Sequence, residues 1–276
     1  MTTWLITGCS SGLGRALADA VLEHGDNAVV TARDVAKVQD LVDRHPDTAL
    51  AVALDVTDSS QVTAAVGAAD ERFGGVDVLV NNAGYGYRAA VEEGEDEPVQ
   101  RLFDTHVFGT ARTVKAVLPG MRARRAGTII NISSIGARMS PAGSGYYSAV
   151  KAAIEALTLS LRREVAPLGI RAIVVEPGAF RTDFAGRSLT QSADAIADYA
   201  DTAGKRRIEN DTVHGTQPGD PTKAAAALIT VAESADPPYF LPLGSDAAAA
   251  VRGSLDALAV DIENWDELTR STDFAG

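Results

Sequence analysis

A single cysteine, Cys9, in 276 residues rules out an internal disulfide and any thiolate cage for a metal. Aromatic residues make up only 5% of the chain, so its core has to be built from aliphatics and alanine. No run approaches the roughly 18 apolar residues that a membrane-spanning helix needs. Met1-Thr2-Thr3-Trp4 leads into an apolar segment with no basic n-region or signal core, and a cytoplasmic protein without a membrane partner is expected. Cations are scarce as well: 25 Lys and Arg stand against 37 Asp and Glu, a net charge of −12. Nucleic acid, which is bound by clustered cations, is therefore not an expected partner. Arg122, Arg124 and Arg125, and the run Lys205-Arg206-Arg207, do not extend into stripes and read as solvated helix ends or loops. The four histidines, His24, His45, His106 and His214, lack ligand spacing, so no metal site is expected.

What is present is alternation. Short β-branched or aliphatic runs at Trp4 to Thr7, Ala28 to Ala32, Ala49 to Leu54, Val76 to Asn81, Thr128 to Ser133 and Arg171 to Glu176 are separated by segments of helical length and period. Parallel neighbours need crossover connections, which are usually helices, so this pattern predicts a parallel sheet covered on both faces. The expected fold is α/β, one doubly wound Rossmann-like domain over residues 1–276. Asp58 and Asp220 stand where helix N-caps belong, with Pro221 at a first turn. From about 179 to 219 the rhythm fails, with Gly186, Gly204, Gly215 and Pro218 among scattered polar residues, and a substrate-covering insertion is expected there. A helix near Pro221 to Glu233, a strand near Tyr239 to Leu243 and a polar tail from about 246 to 276 follow.

In an open parallel sheet, ligands bind beyond the carboxyl ends of the strands. Residues with chemistry collect there: Thr7-Gly8-Cys9-Ser10-Ser11-Gly12-Leu13-Gly14 after the first strand, Asp55 after the third, Asn81-Asn82-Ala83-Gly84, Ser133-Ser134 and Pro177-Gly178. The glycine-rich stretch opens a helix-like segment from Arg15, which makes it a candidate nucleotide-phosphate loop, although by itself it is equally a plain turn. Cys9 inside it reads as a small filler residue. Tyr147 and Lys151 stand four apart on a predicted helix from Tyr146 to Ala166 and so share a face. A phenol with an ordinary pKa of about 10 exchanges protons poorly at neutral pH unless a cation stabilises its ionised form. Lys151 supplies that cation. Tyr146 would place it five residues on and off its face.

Ser134 lies thirteen residues before Tyr147, and with it the chain resembles the compact, standard type of the short-chain dehydrogenase/reductase family. The marks are Thr-Gly-x-x-x-Gly-x-Gly at Thr7 to Gly14, Asn-Asn-Ala-Gly at Asn81 to Gly84, Ser134, Tyr147 with Lys151, and Pro177-Gly178, all in order over roughly residues 3 to 183. The resemblance implies that Ser134 hydrogen-bonds the reacting oxygen, Tyr147 gives or takes its proton, and Lys151 lowers the Tyr147 pKa and binds the nicotinamide ribose. It further implies a dinucleotide on Gly8, Ser10, Ser11, Gly12, Leu13 and Gly14. Asp55 would then contact the adenine, Asn81, Ala83 and Gly84 would line the adenosine and ribose side, and Thr182 would reach the nicotinamide carboxamide, with Val56, Pro177 and Gly178 also binding the cofactor. Where an NAD enzyme of the family carries an aspartate this chain has Ala32, followed by Arg33, which favours NADP(H).

One mark departs from the pattern. The family's asparagine, which helps hold a water linking the lysine to solvent, is replaced by His106. A backbone carbonyl could keep the relay intact, the histidine could replace it with a group titrating between about pH 6 and 7, or the relay could be disabled. The resulting expectation is an NADP(H)-dependent enzyme acting on a ketone or secondary alcohol, apolar or cyclic given Tyr85, Tyr87, Met139, Phe180, Phe184 and Leu189, with the steroid- and retinol-dehydrogenase-like branches most similar. The alternative is a non-catalytic NADP(H)-binding sensor that retains the fold. A homodimer or homotetramer is expected through the helix around Ala149 to Leu161 and the one from Gln100 to Arg122.

Overall fold

The computed structural model describes residues 1–185, 188–208 and 215–274. Seven strands form one parallel sheet: β1 (Thr3–Ile6), β2 (Asn27–Ala32), β3 (Ala49–Ala53), β4 (Val78–Asn81), β6 (Gly127–Ile132), β7 (Ile170–Pro177) and β9 (Phe240–Leu243). Their spatial order is β3-β2-β1-β4-β6-β7-β9. The order reverses between β1 and β4, where a crevice opens at the carboxyl ends of the strands.

Successive strand residues point to opposite faces, and β1 shows how the two-sided core follows. Trp4 and Ile6 enter a cluster with Leu17, Val21 and Leu22 of α1 (Gly12–Glu23) and with Ala224, Leu228 and Ala232 of the helix Pro221–Glu233. Leu5 enters another with Ala69 of α3 (Ser59–Phe73), Val117 and Met121 of α5 (Gly109–Arg124) and Val165 of α7 (Gly145–Val165). The two predicted caps are formed: Asp58 Oδ1 accepts the Ser60 and Gln61 amides at 2.8 and 3.2 Å, and Asp220 Oδ1 accepts that of Thr222 at 2.9 Å.

The segment from 179 to 219 includes residues 186–187 and 209–214, which lie outside the described residues, so Gly186 and His214 do too. Its described part contains a strand the sequence reading lacked. Leu189–Gln191 (β8) pairs in parallel with Gly86–Arg88 (β5) beside the main sheet. Glu93 ties the segment down, since its carboxylate accepts the Ile196 amide at 2.8 Å and meets Arg207 Nη2 at 2.8 Å.

The expected polar tail is helical instead. Ser245–Asn264 forms a helix whose first turns are anchored by buried Ala247 and Val251, while Leu255, Leu258, Ile262 and Trp265 face outward. Spaced four and three residues apart, these apolar positions form one stripe. Among the described residues no helix is long and apolar enough to cross a membrane.

Candidate active site

The glycine-rich loop is shaped by its neighbour across the switch point. Thr7 Oγ1 accepts the amides of Asn82 and Ala83 at 3.0 and 2.9 Å, and Asn82 Nδ2 donates to the Thr7 and Gly8 carbonyls at 2.9 and 3.1 Å. Gly8 has φ +76°, and a Cβ there would stand 2.9 Å from Ala83 Cα, so both conformation and space demand glycine. Ser11 caps α1 without a side-chain hydrogen bond, which leaves the first-turn amides of α1 to face the crevice. These amides and the close backbone approach fit a diphosphate. Cys9 is fully buried and its thiol is pushed up to about 12 by burial, consistent with a filler and not a nucleophile.

A cleft of about 1290 Å³ runs from this loop across the strand ends. Gly8, Ser10, Ser11, Gly12, Leu13, Arg33, Asp55, Val56, Ala83 and Gly84 line one part, and His106, Ser134, Tyr147, Lys151, Pro177, Gly178 and Thr182 line the other. Two expected cofactor residues are not on its wall. Asn81 is drawn into the core, where Nδ2 donates to Asn131 Oδ1 at 2.8 Å and Oδ1 accepts from Thr113 at 2.6 Å. Gly14 lies behind the loop, packed against the Asn82 side chain, so its lack of a Cβ serves packing. Asn82, one residue on from Asn81, makes the loop contacts.

At the far end Ser134 and Tyr147 stand together on the cleft wall, with the Ser134 hydroxyl close enough to favour the ionised phenol. The Tyr147 ring meets His106 edge-on, centroids 5.9 Å apart, and the tilted ring of Phe184 at 5.8 Å. Burial pushes the phenol up to about 12, opposed by the nearby Ser134 hydroxyl and by the Arg88 guanidinium. Lys151 was expected to do that lowering. It sits 5.7 Å from the ring centroid and donates instead to the Ile132 carbonyl at 2.8 Å, with its own amine brought down to about 7 by burial against the opposing pull of Glu155. Arg88, which also donates to Ser144, was not singled out in the sequence, because nothing in it announces that β5 runs beside the cleft.

His106 occupies a π-helical turn, Asp104–Phe108, between two α-helices, a local widening often found at functional positions. It is 1% exposed. Its Nε2 lies 2.8 Å from the Tyr85 carbonyl oxygen and 3.1 Å from the Tyr85 amide, and Nδ1 has no partner among the described residues. Burial, and then the nearby Lys151 charge, hold the imidazole well below its ordinary pKa. Of the three alternatives for His106, this environment speaks against a group titrating between pH 6 and 7, because a buried imidazolium would lack water and face a cation.

Comparison with known proteins agrees with this geometry. The family model for short chain dehydrogenase matches residues 2–193. Oxidoreductase BOA17 of Botryotinia fuckeliana is 36% identical over 267 residues, spanning 96% of this chain and 97% of that protein. A short-chain dehydrogenase from Streptomyces avermitilis superposes with a TM-score of 0.91 at 43% identity, covering 99% of this chain and 98% of its own. A 3-ketoacyl-(acyl-carrier-protein) reductase from Brucella melitensis complexed with NADH gives 0.74 at 28% identity over 88% and 96% of the two chains. The chain belongs to the short-chain dehydrogenase/reductase family of oxidoreductases.

Proposed function

We propose that this oxidoreductase is an NADP(H)-dependent ketone reductase or secondary-alcohol dehydrogenase with an apolar or cyclic substrate. The observation that carries the reading is the placing of Ser134, Tyr147 and Lys151 together at one end of a cleft whose other end is the uncapped start of α1. Bound there, the nicotinamide would supply or accept the hydride. Ser134 donates to the carbonyl oxygen. Tyr147, protonated in the neutral range, delivers the proton that completes an alcohol. Lys151 holds the ribose side and, when charged, favours the phenolate left behind. A sensor would have no use for this proton-transfer set.

NADP(H) is favoured by charge at the end of β2. Arg33 is exposed at the rim of the cleft beside buried Ala32, and Asp34 turns away to accept the Ala36 amide at 3.2 Å. A cation without a competing acid suits a 2′-phosphate. Phe184, Met139 and Tyr85 on the cleft wall support an apolar substrate body. Assembly through α7 and α5 is supported by outward-facing Leu157 and by Phe108 just before α5, 45% and 55% exposed. The test is NADPH consumption with a panel of cyclic and aliphatic ketones, abolished by Tyr147→Phe. Tight NADPH binding with no turnover across the panel would favour the sensor.

A further inference from the structure

Two acidic side chains lie buried under the catalytic helix. Glu155 follows Lys151 by one helical turn on α7, and Glu176 is wholly buried near the end of β7, just ahead of Pro177 and Gly178. Arg138, from the short helix α6 (Gly136–Met139) that follows Ser134, reaches both. Its Nη2 lies 3.0 Å from Glu155 Oε2, and its Nε donates to Glu176 Oε1 at 3.0 Å. Ser133 Oγ donates to Glu155 Oε1 at 2.7 Å. Glu176 Oε2 remains buried with no donor among the described residues, and Glu176 is within hydrogen-bonding reach of Glu155.

Two ionised acids in contact are not both satisfied here. One guanidinium would face two carboxylates, and a buried oxygen would be left with neither water nor a donor. One proton resolves both difficulties: on Glu176 Oε2 it removes the like charge and gives that oxygen a hydrogen bond to make to Glu155. Burial, reinforced by the Glu155 neighbour, pushes the Glu176 carboxyl above the ordinary carboxylate range in the same sense.

We infer that Glu155 and Glu176 share one proton, held on Glu176, and that the remaining negative charge on Glu155 is a positioning element that extends to higher pH the range in which Lys151 is an ammonium. The effect on catalysis rests on the redox function proposed above. The surroundings leave this charge to act on Lys151. From α7 itself the dyad faces Lys151, and from α6 it faces Arg138, whose guanidinium lies over the Phe240 ring at 5.1 Å and is partly exposed. Tyr147, up at about 12, and neutral His106 flank Lys151 without carrying charge near pH 7. Asp246 faces the loop beyond Gly178, where its Oδ2 accepts the Ala179 amide at 2.7 Å. Arg138 also joins three segments that carry cleft residues, those of Ser134, of Tyr147 with Lys151, and of Pro177 with Gly178.

Infrared difference spectra of the full chain near pH 7, without substrate, read the dyad independently of turnover. The expected result is a deuterium-sensitive protonated-carboxyl band in the unsubstituted protein that is lost in Glu176→Gln and bleaches at lower pH in Glu155→Gln. The first variant removes the bearer of the proton; the second removes the like charge and leaves burial alone to raise Glu176. Absence of the band, its survival in Glu176→Gln, or an unchanged bleaching pH in Glu155→Gln overturns the shared proton. Should a variant fail to fold, the unsubstituted band decides alone: the proposal expects it to bleach only well above the ordinary carboxylate range, and bleaching within that range overturns it. The pH profile of kcat/KM for NADPH-dependent ketone reduction reads the link to Lys151. Glu155→Gln is expected to move the basic limb down by about one pH unit, roughly a tenfold loss on that limb. Glu176→Gln, which keeps the Glu155 charge, moves it less. Equal shifts, or a uniform loss with the limb fixed, overturn the assignment of the charge to Glu155. Failure of every ketone to react would sink the redox reading, while the infrared bands still decide the dyad.

Discussion

At the residue scale the site is governed by burial acting on three titratable groups within one cluster. Tyr147 at about 12 keeps its proton through the neutral range, whereas Lys151 at about 7 loses its charge there. Carbonyl reduction needs the protonated phenol and the ammonium, so kcat/KM is expected to be level below about pH 7 and to fall above it. Alcohol oxidation needs the phenol to give up its proton and should rise with pH. Profiles measured in both directions check these opposite slopes. Tyr147→Phe removes the proton donor and should lower kcat by about 10² to 10⁴ with the fold intact by circular dichroism. His106 contributes through stability. Its folded-state pKa is depressed, so the stabilisation is complete above the ordinary value of about 6.5 and is lost as pH falls below it. His106→Asn should therefore lessen the acid-induced drop in Tm while leaving the kcat/KM profile between pH 6 and 7 unchanged, and a changed profile would reinstate a titrating histidine.

At the scale of elements, the strands and their order of use were legible because each is a short aliphatic run followed by a residue with chemistry. Thr7, Ser133 and Pro177 fall at the ends of their strands as the pattern requires. What escaped has a physical reason. Gly86–Arg88 is only three residues long, and its partner Leu189–Gln191 lies about a hundred positions away, so no local period marks either. Glu155 and Glu176 were visible only as charged breaks, one on the inward face of a helix and one just after the run Ile173-Val174-Val175. Asn81 was assigned to the cleft by resemblance, but a last strand residue can point either way, and its neighbours Asn131 and Thr113 claim it. The segment that carries Leu189–Gln191 is held by Glu93. Burial alone would raise that carboxyl, yet Arg207 and the Ala90 and Ile196 amides outweigh it and bring it to about 2. The clamp is thus complete above the ordinary carboxylate pKa and is lost as pH falls toward about 2. Glu93→Gln should cost on the order of 2 kcal/mol and speed proteolysis within residues 188–208. Cleavage no faster than in the unsubstituted chain would show that the segment is held by other contacts.

At the scale of the molecule, the parallel sheet delivers every reacting group to one edge, and the helices that bury its faces leave their own outer surfaces to be accounted for. On α7 the inward side carries Val150, Ile154, Thr158 and Val165, all buried, while the outward side shows Ala149, Ala152, Ala156 and Leu157 to solvent. A surface helix normally turns charge outward, and alanine and leucine there gain little from water. Small side chains also let a facing helix approach closely. A two-fold axis beside α7 would bring the same surface of a second copy against it, so each copy would cover the other's apolar face. The unsubstituted chain is therefore expected to sediment as a dimer or tetramer. Leu157→Glu places a charge in the centre of that contact without touching the core, since Leu157 is 45% exposed within one chain. It should shift the sedimentation coefficient toward a smaller species at equal concentration while the circular dichroism spectrum stays the same. If Leu157→Glu sediments like the unsubstituted chain, assembly runs through another surface; if the unsubstituted chain sediments as a monomer, the pairing itself is wrong.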